Sequence, residues 1–288
     1  MSRIPVSKVH RKFPGRKAVT HWQSGQPRRR VFDDLAIEEP LEIRVDTRPV
    51  TITMRTPGHD NELAAGFLLT EGLLRSAADI REIRTHPRNM SGNALDVFLS
   101  PDVIVDFAKL TRHVFATSSC GLCGKTCIES VQQQFPPVRR RFHVSAATLL
   151  ALPEVMRAAQ ETFSRTGGLH AAGLFSSQGE LWVLREDVGR HNAVDKVLGH
   201  ALLHQFPTLE QSILLVSGRA SFEILQKALA ARVALVAAVS APSSLAVEFA
   251  RRSGQTLVGF LRTGRFNVYA GQGRIRFPAT AAARQTGR

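Results

Sequence analysis

Three cysteines fall in the stretch SSCGLCGKTC, at Cys120, Cys123 and Cys127, and the chain of 288 residues has no others. Thiols this close together, in a loop of Ser and Gly, suit a metal site, a redox switch or a sulfur carrier. A structural zinc site takes four ligands, usually two C-x2-C pairs or one pair with two histidines. Here there is a single pair, and no spaced His pair follows it at zinc-finger distance. Zinc nucleobase deaminases use H-x-E followed by P-C-x-x-C; no histidine of this chain has Glu two residues on, and Ser119 stands where Pro would. Common iron–sulfur clusters take four thiolates, more than the chain holds. A C-x-x-C before a helix is also the dithiol redox motif, but that motif sits early in a small domain, and this pair follows several strands. A fourth chemistry is a nucleophilic cysteine that carries a group, and the spacing alone leaves all four standing. A helix N-terminus and a nearby cation favour the reactive thiolate, and the loop runs into a predicted helix, Lys125–Gln134, with Lys125 beside it. Cys120 lies furthest from that helix. Cys127 falls inside its pattern and reads as a small core residue.

Other polar motifs stand at predicted strand ends. In REDVGRHNAVDK, Gly189, Arg190, His191 and Asn192 crowd the start of a helix, and in LLVSGRASFE, Ser217, Gly218 and Arg219 do the same. Free N–H groups of a helix N-terminus beside Arg accept anions, and α/β sheets bind ligands beyond the carboxyl ends of their strands. Ordinary capping by Asp187, Asn192 or Ser221 explains either turn alone equally well. Together with the Gly-rich TGGLHAAG loop, the two turns tilt toward a phosphate-bearing ligand. In GFLRTGRFNVY, Arg262 and Arg265 flank a Thr263-Gly264 turn, where guanidinium groups can clamp phosphate or a guanine edge; a solvated hairpin tip is the commoner fate of such a pair.

The elements that must position these residues follow from periodicity. LEIRVDTRPVTITMRT, from Leu41 to Thr56, alternates as two strands about an Arg48-Pro49 turn. Asp60 or Asn61 is placed to cap a helix carrying Leu63, Phe67 and Leu74. Ile83 and Leu95–Leu99 read as strands, and Val103–Leu110 fits strand or helix. FPPVRRRFHVS breaks the chain between two lobes. Beyond it come a helix over Ala146–Phe163, strands near Gly173–Phe175 and Leu181–Arg185, and a helix after Gly189. Strands Ile213–Val216, Ala234–Val239, Thr256–Leu261 and Phe266–Ala270 then alternate with helices Phe222–Ala230 and Leu245–Arg252. The pattern is α/β, a layered mixed sheet with helices and a β-rich N-terminal element.

All but about one unit of the formal charge of +14 belongs to the ends. Residues 1–30 carry Arg3, Lys8, Arg11, Lys12, Arg16, Lys17 and Arg28–Arg30 without an acid, and residues 271–288 carry Arg274, Arg276, Arg284 and Arg288, again without one. Both read as solvated flexible tails. With aromatics at 7%, the stacking platform of a nucleic-acid-binding domain is missing, so no specific nucleic acid is expected. The apolar run Val233–Val239 is too short to span a bilayer, the basic N-terminus lacks a signal peptide's apolar segment, and clustered odd cysteines suit a reducing, cytoplasmic compartment.

Taken in order, RTPGHDNELAAGFLLTEGLL, SSCGLCGK, TGGLHAAGLF, REDVGRHNAVDKVLG, LLVSGRASFEILQKAL and GFLRTGRFNVY resemble the formate dehydrogenase accessory sulfurtransferase family, FdhD, from about residue 40 to 270. The resemblance implies a cytidine deaminase-like fold and a homodimer. It implies a sulfur carrier that takes sulfur from a cysteine desulfurase as a persulfide and transfers it to the molybdenum bis(guanine dinucleotide) cofactor for formate dehydrogenase. Cys120 matches the persulfide-bearing cysteine and Cys123 its companion. Phe260, Leu261, Arg262, Thr263, Gly264 and Arg265 match the stretch that binds Mo-bis(molybdopterin guanine dinucleotide), with no structural metal expected. The organisation implied is a tail at 1–30, a sulfurtransferase domain at 31–272 with lobes of about 31–138 and 142–272, and a tail at 273–288. A cofactor-binding chaperone without sulfur transfer and a dithiol redox protein are the alternatives.

Overall fold

Leu41, Ile43 and Val45 point to one side of a strand and are fully buried, which sets the first sheet on the core. The computed structural model describes residues 15–86, 92–105, 107, 135–139, 142–206 and 209–278. The segment expected to be a basic tail, residues 1–30, contributes β1 (Arg16–His21) and the first two residues of β2 (Arg29–Asp34), and the two strands pair as an antiparallel hairpin. β3 (Glu39–Val45), β4 (Arg48–Arg55), β5 (Ile80–Thr85) and β6 (Ala94–Leu99) form a sheet of order β4-β3-β6-β5, with β3 and β6 parallel. The β3–β4 turn is Asp46-Thr47, not Arg48-Pro49. Both turn residues have positive φ, 45° and 66°, as tight hairpins require, and Pro49 sits on the edge strand β4 beside a register shift, where its missing N–H is tolerated.

Helix α1 (Asp60–Thr70) follows, and its entry corrects a second expectation. Its N-cap is His59, in the left-handed conformation with φ 59°. Asp60 is occupied elsewhere: its two carboxylate oxygens accept from Arg55 Nε and Nη2, each at 3.0 Å. Arg55, almost wholly buried, also reaches Glu39 and Asn93. The RTPGHD motif is therefore a folded corner held by one arginine.

After β7 (Val144–Ser145), the helix expected over Ala146–Phe163 is divided at Gln160 into α2 (Ala146–Ala159) and α3 (Glu161–Thr166). Glu186 accepts from the Thr162 and Phe163 amides at 2.9 and 2.8 Å, satisfying the start of the second piece. Then come β8 (His170–Phe175), β9 (Leu181–Asp187), α4 (Arg190–Leu203), β10 (Ile213–Val216), α5 (Phe222–Ala230), β11 (Leu235–Ala238), α6 (Ser244–Ser253), β12 (Thr256–Arg262) and β13 (Arg265–Ala270). These strands form a mixed sheet of order β13-β12-β11-β10-β8-β9. β10, β11 and β12 are parallel, and β8 runs against both β9 and β10. Every residue of β10 and β11 is buried, as strands covered on both faces must be. A short strand, β14 (Ile275–Arg276), pairs with β7, carrying ordered structure into the segment read as the C-terminal tail. Among the described residues no helix is long and apolar enough to cross a membrane.

The two sheets share one continuous hydrophobic core, joined where α1 crosses α4. Gly66 and Gly199 make that crossing possible: a Cβ on Gly66 would stand 1.8 Å from Asp195 O, and one on Gly199 1.8 Å from Glu62 O. Polar ties flank it. Asp195 pairs with Lys227 of α5 at 2.8 Å and accepts from Thr70 at 2.9 Å. Glu62 Oε1 accepts from Arg185 Nη2 at 2.8 Å and lies 2.9 Å from His200 Nδ1. Burial alone would raise the Glu62 pKa, but the hydrogen bonds from Arg185 and His200 and the Arg185 charge outweigh it and hold the carboxyl at about 2. A carboxyl whose folded pKa is depressed stabilises the fold fully above its ordinary value and ceases to do so as pH falls through the depressed one. The urea midpoint of the wild type should therefore fall between about pH 4.5 and 2. Glu62→Gln should lower the midpoint at pH 7 and make the acid decline shallower. An unchanged acid profile in that variant would remove Glu62 from the account.

Candidate functional site: the carboxyl edge of the mixed sheet

The turns after β9, β10, β11 and β12 open on the same edge of the sheet. His170, first in β8, pairs in register with Asp187, last in β9. Ser217 continues the ladder past β10, its N–H donating to Ala171 O at 3.0 Å and its Oγ accepting from Ala171 N at 2.9 Å. Val239 N–H donates to Val216 O, and Phe260 N–H to Ser240 O, each at 3.0 Å. Adjacent strands lie about 4.8 Å apart, so the Ser217 and Phe260 ends of β10 and β12 are separated by roughly 10 Å.

Around the β10 turn stand His170, Arg190, His191, Ser221 and Glu223. Gly218 lies against two of them: a Cβ there would be 3.4 Å from His170 Nδ1 and 3.7 Å from the Arg190 side chain. The helix starts differ in a telling way. Ser145 caps α2 by accepting from Thr148 N, and Ser243 caps α6 by accepting from Ala246 N. Ser221 is the N-cap of α5 yet makes no capping bond, and its buried Oγ finds no partner among the described residues. Arg190 Nε is likewise buried and unpartnered there. His191 Nε2 stands 2.8 Å from Glu223 Oε2, close enough to pair electrostatically, although the angle falls outside hydrogen-bond geometry. This contact holds the Glu223 carboxyl below its ordinary range against the opposing effect of burial. Burial, then the Arg190 and His191 charges, push the His170 pKa down, which favours a neutral imidazole. Unused donors at an uncapped helix start are what an anion would complete.

The other two capping candidates divide: Asp187 does satisfy backbone at the start of α4, accepting from Gly189 N at 2.8 Å as well as from Thr56 N at 3.1 Å, whereas Asn192 does not cap. Asn192 is a buried tie to the first sheet, donating from Nδ2 to Met54 O at 2.7 Å and to Asp187 Oδ1 at 3.0 Å. Asp187 pairs with Lys196 at 2.7 Å. Both hold the site without belonging to it. Arg219 is exposed.

The β12–β13 hairpin provides the second group. Arg262 and Arg265 pair in register across Thr263-Gly264, with Gly264 at φ 85°. Both arginines are exposed, Leu261 is fully buried, and Phe260 is 40% exposed at φ 51° beside a register shift. The bulge turns the Phe260 ring outward while Leu261 anchors the strand. Between this hairpin and α2 lies a groove of about 710 Å³, within the range of small-molecule sites. Thr263 Oγ1 donates to Glu154 Oε1 across it at 3.1 Å. The six residues Phe260–Arg265 thus share one hairpin on the same edge as the His170–Arg190–His191 cluster. Cys120, Cys123 and Cys127, and the helix expected over Lys125–Gln134, lie outside the described residues.

Sequence reasoning missed His170, Glu223, Glu154 and Arg157. His170 could have been marked, because it follows the Gly-rich turn and opens an apolar strand. The others gain meaning only from contacts across the fold.

The fold is that of an α/β protein which, among the described residues, places unpartnered donors and a pair of arginines along one strand-end edge, the chemistry a phosphate-bearing ligand would require. The chain belongs to the FdhD/NarQ family, whose model matches residues 36–276. It is 51% identical over 262 residues to the "Sulfur carrier protein FdhD" of Streptomyces avermitilis, covering 87% of this chain and 92% of that one. Similarity to the protein of the same name from Mycolicibacterium paratuberculosis is 51% over 267 residues, covering 90% and 98%. A crystal structure of a formate dehydrogenase accessory protein from Desulfotalea psychrophila superposes with a TM-score of 0.74 at 28% identity, covering 91% of this chain and 98% of that one.

Proposed function

We propose that the chain is a sulfur carrier in the maturation of formate dehydrogenase. It accepts sulfur from a cysteine desulfurase as a persulfide on Cys120 and delivers it to the molybdenum bis(guanine dinucleotide) cofactor. The observation that carries this reading is the 51% identity, over 87% of the chain, to a protein named as a sulfur carrier. The chemistry agrees with it. The Cys120 thiolate attacks the outer sulfur of the donor's persulfide, a sulfur–sulfur bond forms on Cys120, and the donor leaves as its thiolate. Delivery as a sulfido ligand adds two electrons to that sulfur. Cys123 can supply them by attacking Cys120 Sγ, which leaves a Cys120–Cys123 disulfide for a cellular thiol to reduce. Phe260–Arg265 hold the cofactor substrate, and the donors around Ser221 and Arg190 suit its phosphates. On the same reading the protein is a cytoplasmic homodimer with the cytidine deaminase-like architecture, supported by a mixed sheet whose helices begin at the ligand-bearing strand ends.

Incubation with a cysteine desulfurase and cysteine should add the mass of one sulfur to the intact protein. Cys120→Ala should abolish both this addition and formate dehydrogenase activity in cells dependent on the chain. Sulfur uptake and full support of the enzyme by that variant would refute the carrier. Activity that survives Cys120→Ala but not Arg262→Ala with Arg265→Ala would instead identify a cofactor chaperone.

A further inference from the structure

The groove between α2 and the β12–β13 hairpin has a chemistry that phosphate binding does not explain. Its walls are apolar, with Pro153 and Ala158 on the helix, Val239 just past β11 and Leu261 on β12, as suits a flat ring. At its rim stand two guanidinium groups, Arg157 and Arg262. Arg157 is held in place by Ser164 Oγ at 2.9 Å and by the Phe163 ring at 4.8 Å. Among these cations stands one carboxylate, Glu154, held by the Thr263 hydroxyl at 3.1 Å. A carboxylate in a site for phosphate alone would repel the ligand. Its presence calls for a ligand that carries hydrogen-bond donors as well as negative charge.

We infer that Glu154 reads the base of a guanine nucleotide in this groove, with Thr263 aiming its carboxylate. Guanine presents two donors side by side, the ring N1–H and the exocyclic N2 amine, which a carboxylate can accept together. Hypoxanthine presents only the ring N–H. Adenine sets an acceptor beside its single amine donor, and that lone pair faces the carboxylate. Arg262, Arg265 and Arg157 meet the diphosphate. The inference rests on the cofactor reading of the hairpin and adds to it the group that selects guanine, on a different element from Phe260–Arg265.

The test is calorimetric titration of the full chain with GDP, IDP and ADP. Loss of one hydrogen bond to a charged group corresponds to a factor of about ten in affinity, so the wild type should bind GDP about tenfold tighter than IDP and ADP more weakly still. Glu154→Gln, at an exposed helix position, should weaken GDP more than IDP, which loses only the charge assistance on its ring N–H, and so bring the GDP-over-IDP ratio close to one. Thr263→Val keeps the carboxylate but removes its hydrogen bond, and should reduce the GDP preference in part. Arg262→Ala should weaken all three nucleotides alike. A Glu154→Gln protein that binds GDP with its preference intact overturns the inference while leaving the cofactor reading standing. A wild type that binds none of the three nucleotides overturns both.

Discussion

Gly66→Ala is expected to destabilise the protein by about 3 kcal/mol, the scale of overpacking against an unyielding neighbour. Helix propensity alone predicts the opposite sign, since Ala is favoured over Gly in a helix interior by about 1 kcal/mol. The steric effect wins because the added methyl would meet backbone, Asp195 O at 1.8 Å, and no side-chain rotation relieves that contact. Gly199→Ala drives its methyl into Glu62 O at the same distance from the other helix. Relief requires α1 and α4 to separate, which strains the buried Asp195–Lys227 and Thr70–Asp195 contacts beside the crossing. The two substitutions share one interface, so their combined effect should differ from the sum. The site should also respond, because Arg190 and His191 occupy the first turn of the helix that is displaced. Urea unfolding of each variant tests the prediction, and either single variant matching the wild type would show that the crossing is less tight than it looks.

How much of this was legible in advance depends on where the information resides. Ile213–Val216 and Phe222–Ala230 match the sequence reading residue for residue, because a continuous apolar run and a helical stripe are local signals. The β3–β4 turn was obscured by Pro49, a strong turn residue that here lies on an edge strand. Asp60 looked like a cap because the arginine that engages it belongs to the preceding strand. Asn192 read as a cap or ligand for a similar reason: its partner, Met54, faces it only once the sheets are packed. Asp187 does accept from Gly189 N as a capping residue would, but its pairing with Lys196 was equally hidden. The candidate site divides in the same way. The Arg262–Arg265 pair is written in adjacent residues, whereas the Glu154–Thr263 contact spans 109 positions and has no sequence pattern. Ser221 had the type and spacing of a cap, and only the packed fold reveals that its hydroxyl has no partner among the described residues.

Lys196→Met should cost about 3–5 kcal/mol, the range for breaking a buried ion pair by removing one member. Lys196 and Asp187 are 2.7 Å apart with side chains 1% and 0% exposed. Water cannot replace the missing charge. Asp187 would keep the hydrogen bonds from Thr56 N at 3.1 Å, Gly189 N at 2.8 Å and Asn192 Nδ2 at 3.0 Å, but these are neutral donors for a buried anion. Lys196 also donates to Thr56 O at 2.8 Å, so the pair fastens the end of β4 to the carboxyl edge of the mixed sheet. Asp187→Asn strands the lysine instead and should destabilise to a similar degree. Combining the two removes both charges, and the double variant should be less destabilised than the sum by about 1–3 kcal/mol. Strict additivity would mean that the two charges do not depend on each other. The same variants probe function, because Asp187 orients the backbone at Gly189, immediately before Arg190 and His191. If the cluster binds phosphate, the double variant should weaken nucleotide binding even where its folding is restored, while the GDP-over-IDP ratio set at Glu154 stays unchanged. Recovery of stability without loss of affinity would confine Lys196 and Asp187 to holding the sheets together.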